Sequence, residues 1–303
     1  MSAYRIISAE KANGIPVSLA CELLDVSRSG YYEWATRAPS DRELTDAWLT
    51  EKIVQIWKAN REVYGAPRIH AELAIAHGIN VGRKRVERLM RAAGISGLVP
   101  RKHGRTTVRV QGVRVADDLV KRHFRPDRPD VLWVADFSYL RTWEGWLYLA
   151  AVQDAFSRRI VGWSMADHMR EELVIDALRM AVSRRRPPEG VIHHSDQGGQ
   201  YVSLGFGLEC VKAGIARSMG SVGDCFDNAV AETFFATLKK ELVHRYSWPT
   251  RRELTSEVFE YIEGFYNPRR RHSTLGMLSP VEFEAQHAGL PRTRARENET
   301  AGC

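Results

Sequence analysis

VLWVADFSYL (residues 131–140), GWLYLAAVQDAFS (145–157) and RRIVGWSMAD (158–167) are three apolar and aromatic runs separated by short polar breaks. Such runs predict three β-strands joined as an antiparallel meander. The stretch that follows alternates helical and strand patterns: a helix at 173–185, a strand at 190–196, a helix at 203–214, a strand at 215–220 and a helix at 228–242. This order predicts an α/β architecture, a mixed sheet flanked by helices.

The first third of the chain is predicted to be helical. Residues 17–34 carry apolar side chains at Leu19, Leu23 and Leu24 and are interrupted near 27–30. Residues 47–60 place four apolar side chains at helical spacing, namely Leu49, Ile53, Ile56 and Trp57. An all-α region is therefore expected to precede the α/β region.

Two helices separated by a short turn are predicted within residues 64–95. Pro67 can begin the first helix and Gly78 can end it. The second helix directs five basic residues outward: Arg83, Lys84, Arg85, Arg88 and Arg91. A basic helix after a tight turn is the pattern of a helix-turn-helix that lies along DNA. The alternative is a small helical bundle with a charged exterior, but the position of the basic face on the second helix favours DNA contact.

The positive charge of the chain is concentrated in one stretch. The 303 residues carry a formal net charge of +7, whereas residues 83–128 contain 14 Lys and Arg against 4 acids, a local balance of 14 − 4 = +10. A segment that contacts phosphates has this character. A solvated, charged linker explains the same charges equally well.

Composition excludes several classes of protein. Hydrophobic residues make up 44% and charged residues 27%, which is typical of a globular protein. The four cysteines form no CxxC pair, so neither a zinc ribbon nor a disulfide framework is indicated. No signal peptide and no apolar run of about 18 residues is present, so a cytoplasmic protein without membrane contact is expected.

Three acidic residues lie in apolar surroundings. Asp136 is inside a predicted buried strand, Asp196 directly follows another, and Glu232 is flanked by apolar residues in a helix. A buried carboxylate is costly unless it is paired or binds a metal ion. One such residue would indicate a structural hydrogen bond, but three of them favour a shared metal site.

Three carboxylates are suited to phosphoryl transfer. Mg²⁺ prefers carboxylate oxygens, and two such ions about 3.5–4 Å apart can assist an in-line displacement at phosphorus. This reaction depends chiefly on positioning and charge neutralisation, so it requires no side-chain nucleophile.

The motifs WVADFSY (133–139), HHSDQGGQY (193–201) and DNAVAETFFATLKKEL (227–242) resemble those of bacterial insertion-sequence transposases of the OrfB type, which have a retroviral-integrase-like core. The resemblance extends through YGAPRIHAEL, RVERLMRAAGISG and FYNPRRRHSTLGMLSP and includes the 35 residues between Asp196 and Glu232. It implies a ribonuclease-H-like catalytic core with Asp136, Asp196 and Glu232 as the catalytic, metal-binding triad. It also implies Mg²⁺ or Mn²⁺ as cofactor and contact of Lys239 with the element end.

The resemblance and the patterns together predict five segments. They are an N-terminal helical segment (1–44), a helix-turn-helix-like DNA-binding domain (45–100), a basic linker (101–128), the integrase catalytic core (129–288) and a flexible tail (289–303). The expected partners are double-stranded DNA, as element ends and target, and further copies of the chain on that DNA. The resemblance also implies an upstream-frame partner protein or fusion that carries a leucine zipper, a part for which this chain shows no sustained heptads.

Other charged residues have competing interpretations. Asp154 follows a strand, where a turn role is favoured over metal binding. His193 and His194 are expected to pack beside Asp196 or to orient it rather than to bind metal. Asp227 is expected to start the helix that carries Glu232. The basic loop at 269–272 is predicted to contact DNA phosphates through Arg271, the alternative being a solvated loop.

Two rival functions remain open at this point. A nuclease that cuts DNA without joining it would use the same three acids. A DNA-binding regulator with an inactive core would use only the helical region, but the complete triad argues against it.

Overall fold

The computed structural model describes residues 3–98, 119–120, 126–196, 198–219 and 229–288. The first three helices are α1 (Ala3–Ala12), α2 (Val17–Leu23) and α3 (Arg28–Thr36), and they enclose a small core of their own. That core is formed by Ile7, Ala20, Cys21 and Tyr31.

The helical pattern predicted for residues 17–34 is confirmed, but the leucines that indicated it are not the buried side chains. Leu19 and Leu23 are 48% and 75% exposed, and the short helix α2 instead buries Ala20 and Cys21. The interruption is also displaced by a few residues. The Ser27 Oγ accepts a hydrogen bond from the Gly30 amide and so caps α3, which places Gly30 inside the helix.

The predicted helix-turn-helix pair is confirmed as structure. The preceding helix α4 (Asp41–Ala59) begins with a capping box formed by Ser40 and Glu43. Helix α5 (Ala66–His77) ends at Gly78, whose φ of +64° a glycine adopts at low cost. Helix α6 (Arg83–Ala92) buries Val86, Leu89 and Met90 and leaves its basic residues on the outer side.

The sheet has the predicted meander followed by two parallel strands. Its strands are β1 (Leu132–Thr142), β2 (Gly145–Asp154), β3 (Ile160–Ala166), β4 (Ile192–Ser195) and β5 (Ala216–Met219). Their order is β3-β2-β1-β4-β5, in which β1, β2 and β3 are antiparallel while β4 and β5 run parallel to β1. This mixed sheet with flanking helices confirms the ribonuclease-H-like fold class.

Helices cover both faces of the sheet. Helix α7 (Glu171–Arg185), the single turn α8 (Gly199–Val202) and α9 (Leu204–Lys212) lie on one face. Contact between α7 and β3 is close at Gly162, where an added Cβ would lie 2.2 Å from the Ala177 carbonyl oxygen. Helix α10 (Ala229–Glu241) and the C-terminal helices lie on the other face.

The C-terminal part contains elements that had no counterpart in the predictions. A 3₁₀ turn (Val243–Arg245) leads to α11 (Arg251–Phe259), which continues as a π-helix (Glu260–Tyr266). A second 3₁₀ turn (Ser273–Leu275) precedes α12 (Pro280–His287). Helices α4 to α6 share one hydrophobic core with the first 3₁₀ turn, α11, the π-helix, β1 and β2.

Three residues of the basic loop at 269–272 are buried, namely Arg270, Arg271 and His272, whereas Arg269 is exposed. Arg271 is 3% exposed, and its guanidinium contacts Glu72 of α5 and Glu282 of α12, each at 2.6 Å. Arg270 is equally buried and makes a two-bond pair with Glu241. The predicted DNA contact of Arg271 is therefore wrong, because internal carboxylates already satisfy its charge.

Several predicted features lie outside the described residues. They are most of the basic linker (101–128), Asp227 and the tail (289–303). In the part of the chain that is described, no helix is long and apolar enough to cross a membrane.

Candidate active site

The strand register brings Asp136 and Asp196 to the same level of the sheet. Strands β1 and β4 are parallel, and their last paired residues are Val134 and His194. Two residues further along the chain lie Asp136, within β1, and Asp196, directly after the end of β4. The carboxyl ends of neighbouring parallel strands are where α/β sheets place reactive groups.

Asp136 is half-buried and surrounded by negative charge. Burial and then the charge of Asp196 raise the pKa of Asp136 to about 7, and Glu232 adds to this rise. A hydrogen bond from the Phe137 amide at 2.8 Å and the charge of Lys239 act in the opposite direction. The three predicted acids therefore share one electrostatic environment.

Asp196 is held by the glycine that follows it. The Gly198 amide donates to Asp196 Oδ1 at 3.1 Å, and a Cβ on Gly198 would lie only 3.0 Å from that oxygen. The carboxylate remains open to solvent, yet the protein around it raises its pKa by partial burial.

Glu232 lies in the first turn of α10 with its side chain exposed. Its charge acts on Asp136, so the helix places it on the side of the sheet where Asp136 opens. Among the residues that the structure describes, no three His, Cys, Asp or Glu side chains form a ready metal-binding group. The predicted triad is thus brought into one region but is not preassembled as a ligand set.

Lys239 lies beside this acidic region, two helical turns after Glu232. Its Nζ donates to Ser138 Oγ at 2.7 Å and lies 5.0 Å from the centre of the Tyr139 ring. Burial lowers the pKa of Lys239, whereas the charge of Asp136 opposes that change. Ser138 and Tyr139 were not among the predicted site residues. Their positions two and three residues after Asp136 on the same strand could have identified them as neighbours of the site.

Tyr201 and His193 are buried close to the acidic region. Burial and the charges of Asp136 and Asp196 raise the pKa of Tyr201 well above its usual value. His193 packs against Tyr201 and Phe206, and burial lowers its pKa to about 3. His194 bonds through Nδ1 to Ser218 Oγ of β5. Both histidines are therefore packing residues, as predicted.

Asp154 has the predicted turn role. Its carboxylate is fully buried and accepts hydrogen bonds from the amides of Asp130 and Ser157 and from Ser157 Oγ, each at 2.8 Å. Burial raises its pKa to about 6, while these donors oppose the rise. All of its partners are structural groups of adjoining turns.

The predicted DNA-contacting side chains of α6 divide into two sets. Arg85 and Arg88 form ion pairs with Asp46 of α4 at 2.8 and 2.7 Å, and Arg83 pairs with Glu87 of its own helix at 3.1 Å. Lys84 is exposed, as is Arg91 in the last turn. The two pairs with Asp46 fix α6 against α4, and all three ion pairs reduce the positive charge that Arg83, Arg85 and Arg88 present.

The oxygen donors present suit a divalent cation. The carboxylates of Asp136, Asp196 and Glu232 are hard, negatively charged ligands. Asp196 and Glu232 repel the charge of Asp136, and a bound cation would relieve that repulsion. The neighbouring histidines are buried in packing contacts and cannot supply softer ligands. The donor set therefore fits Mg²⁺ or Mn²⁺.

Family models match most of the chain. Two models described as "Integrase core domain" match residues 126–225 and 232–287, and one described as "HTH-like domain" matches residues 43–103.

Curated proteins match over nearly their whole length. The "Insertion element IS600 uncharacterized 31 kDa protein" of Shigella sonnei is 42% identical over 88% of this chain and 98% of that protein. "Transposase InsF for insertion sequence IS3A" of Escherichia coli K12 is 38% identical over 88% of this chain and 93% of that protein. The "Transposase for insertion sequence element IS629" of Shigella sonnei is 39% identical over 87% and 90%.

Solved structures that resemble this chain include viral integrases. The simian T-cell lymphotropic virus intasome in complex with PP2A regulatory subunit B56 gamma gives a TM-score of 0.47 at 14% identity, covering 82% of this chain and 80% of that chain. The HTLV-2 integrase catalytic core domain in complex with magnesium gives 0.41 at 16% identity, covering 53% and 99%.

Proposed function

The chain belongs to the family of insertion-sequence transposases that includes InsF of IS3, and on this premise we propose that it cleaves DNA at the ends of its element and joins those ends to a target. Asp136, Asp196 and Glu232 are the proposed metal ligands. The observation that carries the assignment is the register of β1 and β4, which places Asp136 level with Asp196. Helix α10 then supplies Glu232 and Lys239 on the same side.

Each proposed residue has a distinct task. Bound Mg²⁺ or Mn²⁺ would activate the attacking oxygen and stabilise the leaving oxygen of the displacement. Asp136 is the least mobile of the three ligands, because it lies within a strand paired to β2. Lys239 offers a cation for a DNA phosphate next to Asp136, and Ser138 orients its ammonium group.

The helix-turn-helix-like region is the proposed DNA-holding part of the chain. Exposed Lys84 and Arg91 of α6, with Arg83 and the outer side of Arg88, would contact backbone phosphates. Together with the basic segment up to residue 128 they would bind element ends and target without reading sequence. We propose that several copies act on one DNA, with an upstream-frame protein or fusion, in the bacterial cytoplasm at the nucleoid.

Carboxamide substitutions test the assignment of the three acids. Asp136→Asn, Asp196→Asn and Glu232→Gln keep the shape of each side chain but remove the charge that binds metal. Each is expected to lower cleavage of an element-end duplex by at least about a hundredfold, while duplex binding changes less than about twofold. Cleavage is measured on end-labelled DNA with Mg²⁺ and then with Mn²⁺.

Asp154→Asn is the matched control, because Asp154 is also an acid of the sheet with a raised pKa. It should cleave at the rate of the unaltered chain. Normal cleavage by Asp136→Asn would show that the wrong acids have been chosen. A strand-transfer assay with pre-cleaved ends separates a transposase from a nuclease, since only the former yields joined products.

A further inference from the structure

A pocket of about 530 Å³ adjoins the candidate active site at the tip of the β1–β2 hairpin. Its walls come from the hairpin and from the segment that follows α10. This volume lies within the roughly 300–1,000 Å³ of typical ligand sites. Lys239 lines the pocket and also bonds Ser138, two residues from Asp136. The pocket is therefore continuous with the acidic region.

Large aromatic side chains surround this pocket and remain open to solvent. Trp143 is 75% exposed, and Tyr139, Trp146 and Tyr246 are 56%, 45% and 54% exposed. Tyr139 and Trp146 meet edge to face with ring centres 5.1 Å apart. A group of exposed aromatic rings adds little to folding and commonly marks a binding surface.

The backbone that carries these rings is fixed in place. The Trp143 amide donates to the Trp248 carbonyl oxygen at 2.9 Å, and Arg251 Nε donates to the Trp146 carbonyl oxygen at 3.0 Å. Glu144 accepts a hydrogen bond from the Arg251 amide at 2.8 Å. The rings are thus presented from an ordered turn, which lowers the entropy cost of binding a ligand.

The charges of the side chains that line the pocket favour the binding of a polyanion. Its basic lining residues are Arg141, Lys239 and His244, and none of the described residues that line it is acidic. The Lys239 Nζ lies 5.0 Å from the centre of the Tyr139 ring, and both residues line the pocket. Cations interleaved with aromatic faces suit a nucleic-acid strand, because bases stack on the rings while phosphates meet the cations.

The position of the pocket indicates unpaired rather than paired nucleotides. A duplex hides the faces of its bases, so only an opened strand can stack on these rings. Strand β1 pairs with β4 only as far as Val134 and then continues past Asp136 to Thr142, so its far end leads from the acids to the pocket. Tyr139 is three residues beyond Asp136, or about 10 Å along the strand. That is the length of about three stacked bases.

We propose that the aromatic pocket formed by Tyr139, Trp143, Trp146 and Tyr246 binds unpaired nucleotides next to the scissile phosphate. The chain would then hold the DNA end with its terminal base pairs opened. This inference rests on the proposed function, because the captured strand is the one that Asp136 and Asp196 would act on.

The test compares two duplexes of equal length in the absence of divalent metal. One duplex is fully paired, and the other has mispaired bases at one end. The full chain should bind the mispaired duplex about tenfold more tightly, because stacking of one base contributes roughly that factor. In the double variant Trp143→Ala/Trp146→Ala this preference should fall to within about twofold of unity.

Phe259→Ala is the matched control, since Phe259 is 46% exposed and contacts Trp163 on the opposite edge strand β3. It should keep the full preference. Equal affinity of the unaltered chain for the two duplexes would overturn the proposal, as would a preference retained by the double variant. A change of oligomeric state without a change of preference would assign the pocket to protein contact instead. Because no metal is present, a failure here is distinct from a wrong choice of catalytic acids.

Discussion

Two aspartates with raised pKa values, Asp136 and Asp154, differ in the hydrogen bonds that their carboxylates accept. Asp154 accepts three from turn residues that surround it on all sides. Asp136 accepts one, from the next amide in the chain, and faces two further carboxylate charges. The raised pKa reflects burial in both aspartates. Their hydrogen-bond donors are what distinguish the structural Asp154 from Asp136, the candidate metal ligand.

Asp154→Asn should cost stability without reducing catalysis per folded molecule. The new amide nitrogen replaces one acceptor oxygen, so a buried donor loses its partner. We expect a loss of about 1–3 kcal/mol in the free energy of unfolding and a fall of roughly 2–10 °C in Tm. Thermal unfolding and cleavage are measured on the same preparation. An unchanged Tm would contradict the structural role.

The acids of the candidate site could be predicted from sequence, because each is a charge in an apolar stretch. Local sequence could not show that Arg271 is buried, since its partners Glu72 and Glu282 are supplied by α5 and α12. The same reason explains why Tyr201 was missed. Its place beneath Asp136 and Asp196 depends on the packing of α8 and not on its neighbours in the chain.

At the level of elements, α6 presents less charge than its sequence indicates. Asp46 of α4 holds both Arg85 and Arg88, and its side chain is only 18% exposed. Replacing those arginines would leave that carboxylate without partners and disturb the packing of α4 on α6. The exposed cations that make no ion pair in the described structure, Lys84 and Arg91, are therefore the informative positions.

Lys84→Ala/Arg91→Ala should weaken binding to any duplex. Log affinity falls linearly with log salt by about 0.9 per neutralised phosphate, so the slope should flatten by about 1.8. The double variant Lys11→Ala/Arg252→Ala removes two exposed cations elsewhere and should leave the slope unchanged. Salt titrations on random duplex DNA give both slopes. If the α6 variant kept the original slope, its basic face would be solvated surface only.

Strands and long helices could be predicted where one face is buried, because periodicity reports that face directly. Helix α2 was predicted, but its packed side could not be, since a helix of seven residues has too few turns for its leucines to define that side. The predictions also gave no π-helix at Glu260–Tyr266. Its buried rings, including Tyr261, Phe265 and Tyr266, pack in a cluster with distant parts of the chain, which local sequence does not reveal.

In the whole molecule, the helix-turn-helix-like region and the α/β region share one interior. Tyr64, Ile69 and Leu73 lie in the same buried cluster as Leu140 and Phe265. Polar groups continue this contact. Arg68 of α5 approaches Glu241 at 3.7 Å, and Glu241 also binds Arg270 and the Tyr261 hydroxyl. Such a network stabilises one arrangement, because each partner left alone would be a buried unsatisfied charge.

This shared interior predicts different outcomes for two truncated chains. A chain that begins at Ser40 loses only α1 to α3, whose core is a separate cluster, so its Tm should stay within about 3 °C of the full chain. A chain that begins at residue 126 also loses α4 to α6. It would expose apolar surface at Leu140 and Phe265 and leave Arg271 without Glu72. It should therefore unfold at least about 10 °C lower or aggregate.

Calorimetry of the two truncated chains beside the full chain measures this difference directly. The full chain should show one cooperative transition for the elements from α4 onward, since one cluster joins α4 to α6 with the sheet and the sheet carries a second cluster on its other face. The helix-turn-helix-like region would then be a fixed part of the catalytic unit, so that DNA held on α6 keeps a constant position relative to Asp136. Equal Tm values for the two truncated chains would instead mean that the regions fold independently, and α6 could then move with respect to the site.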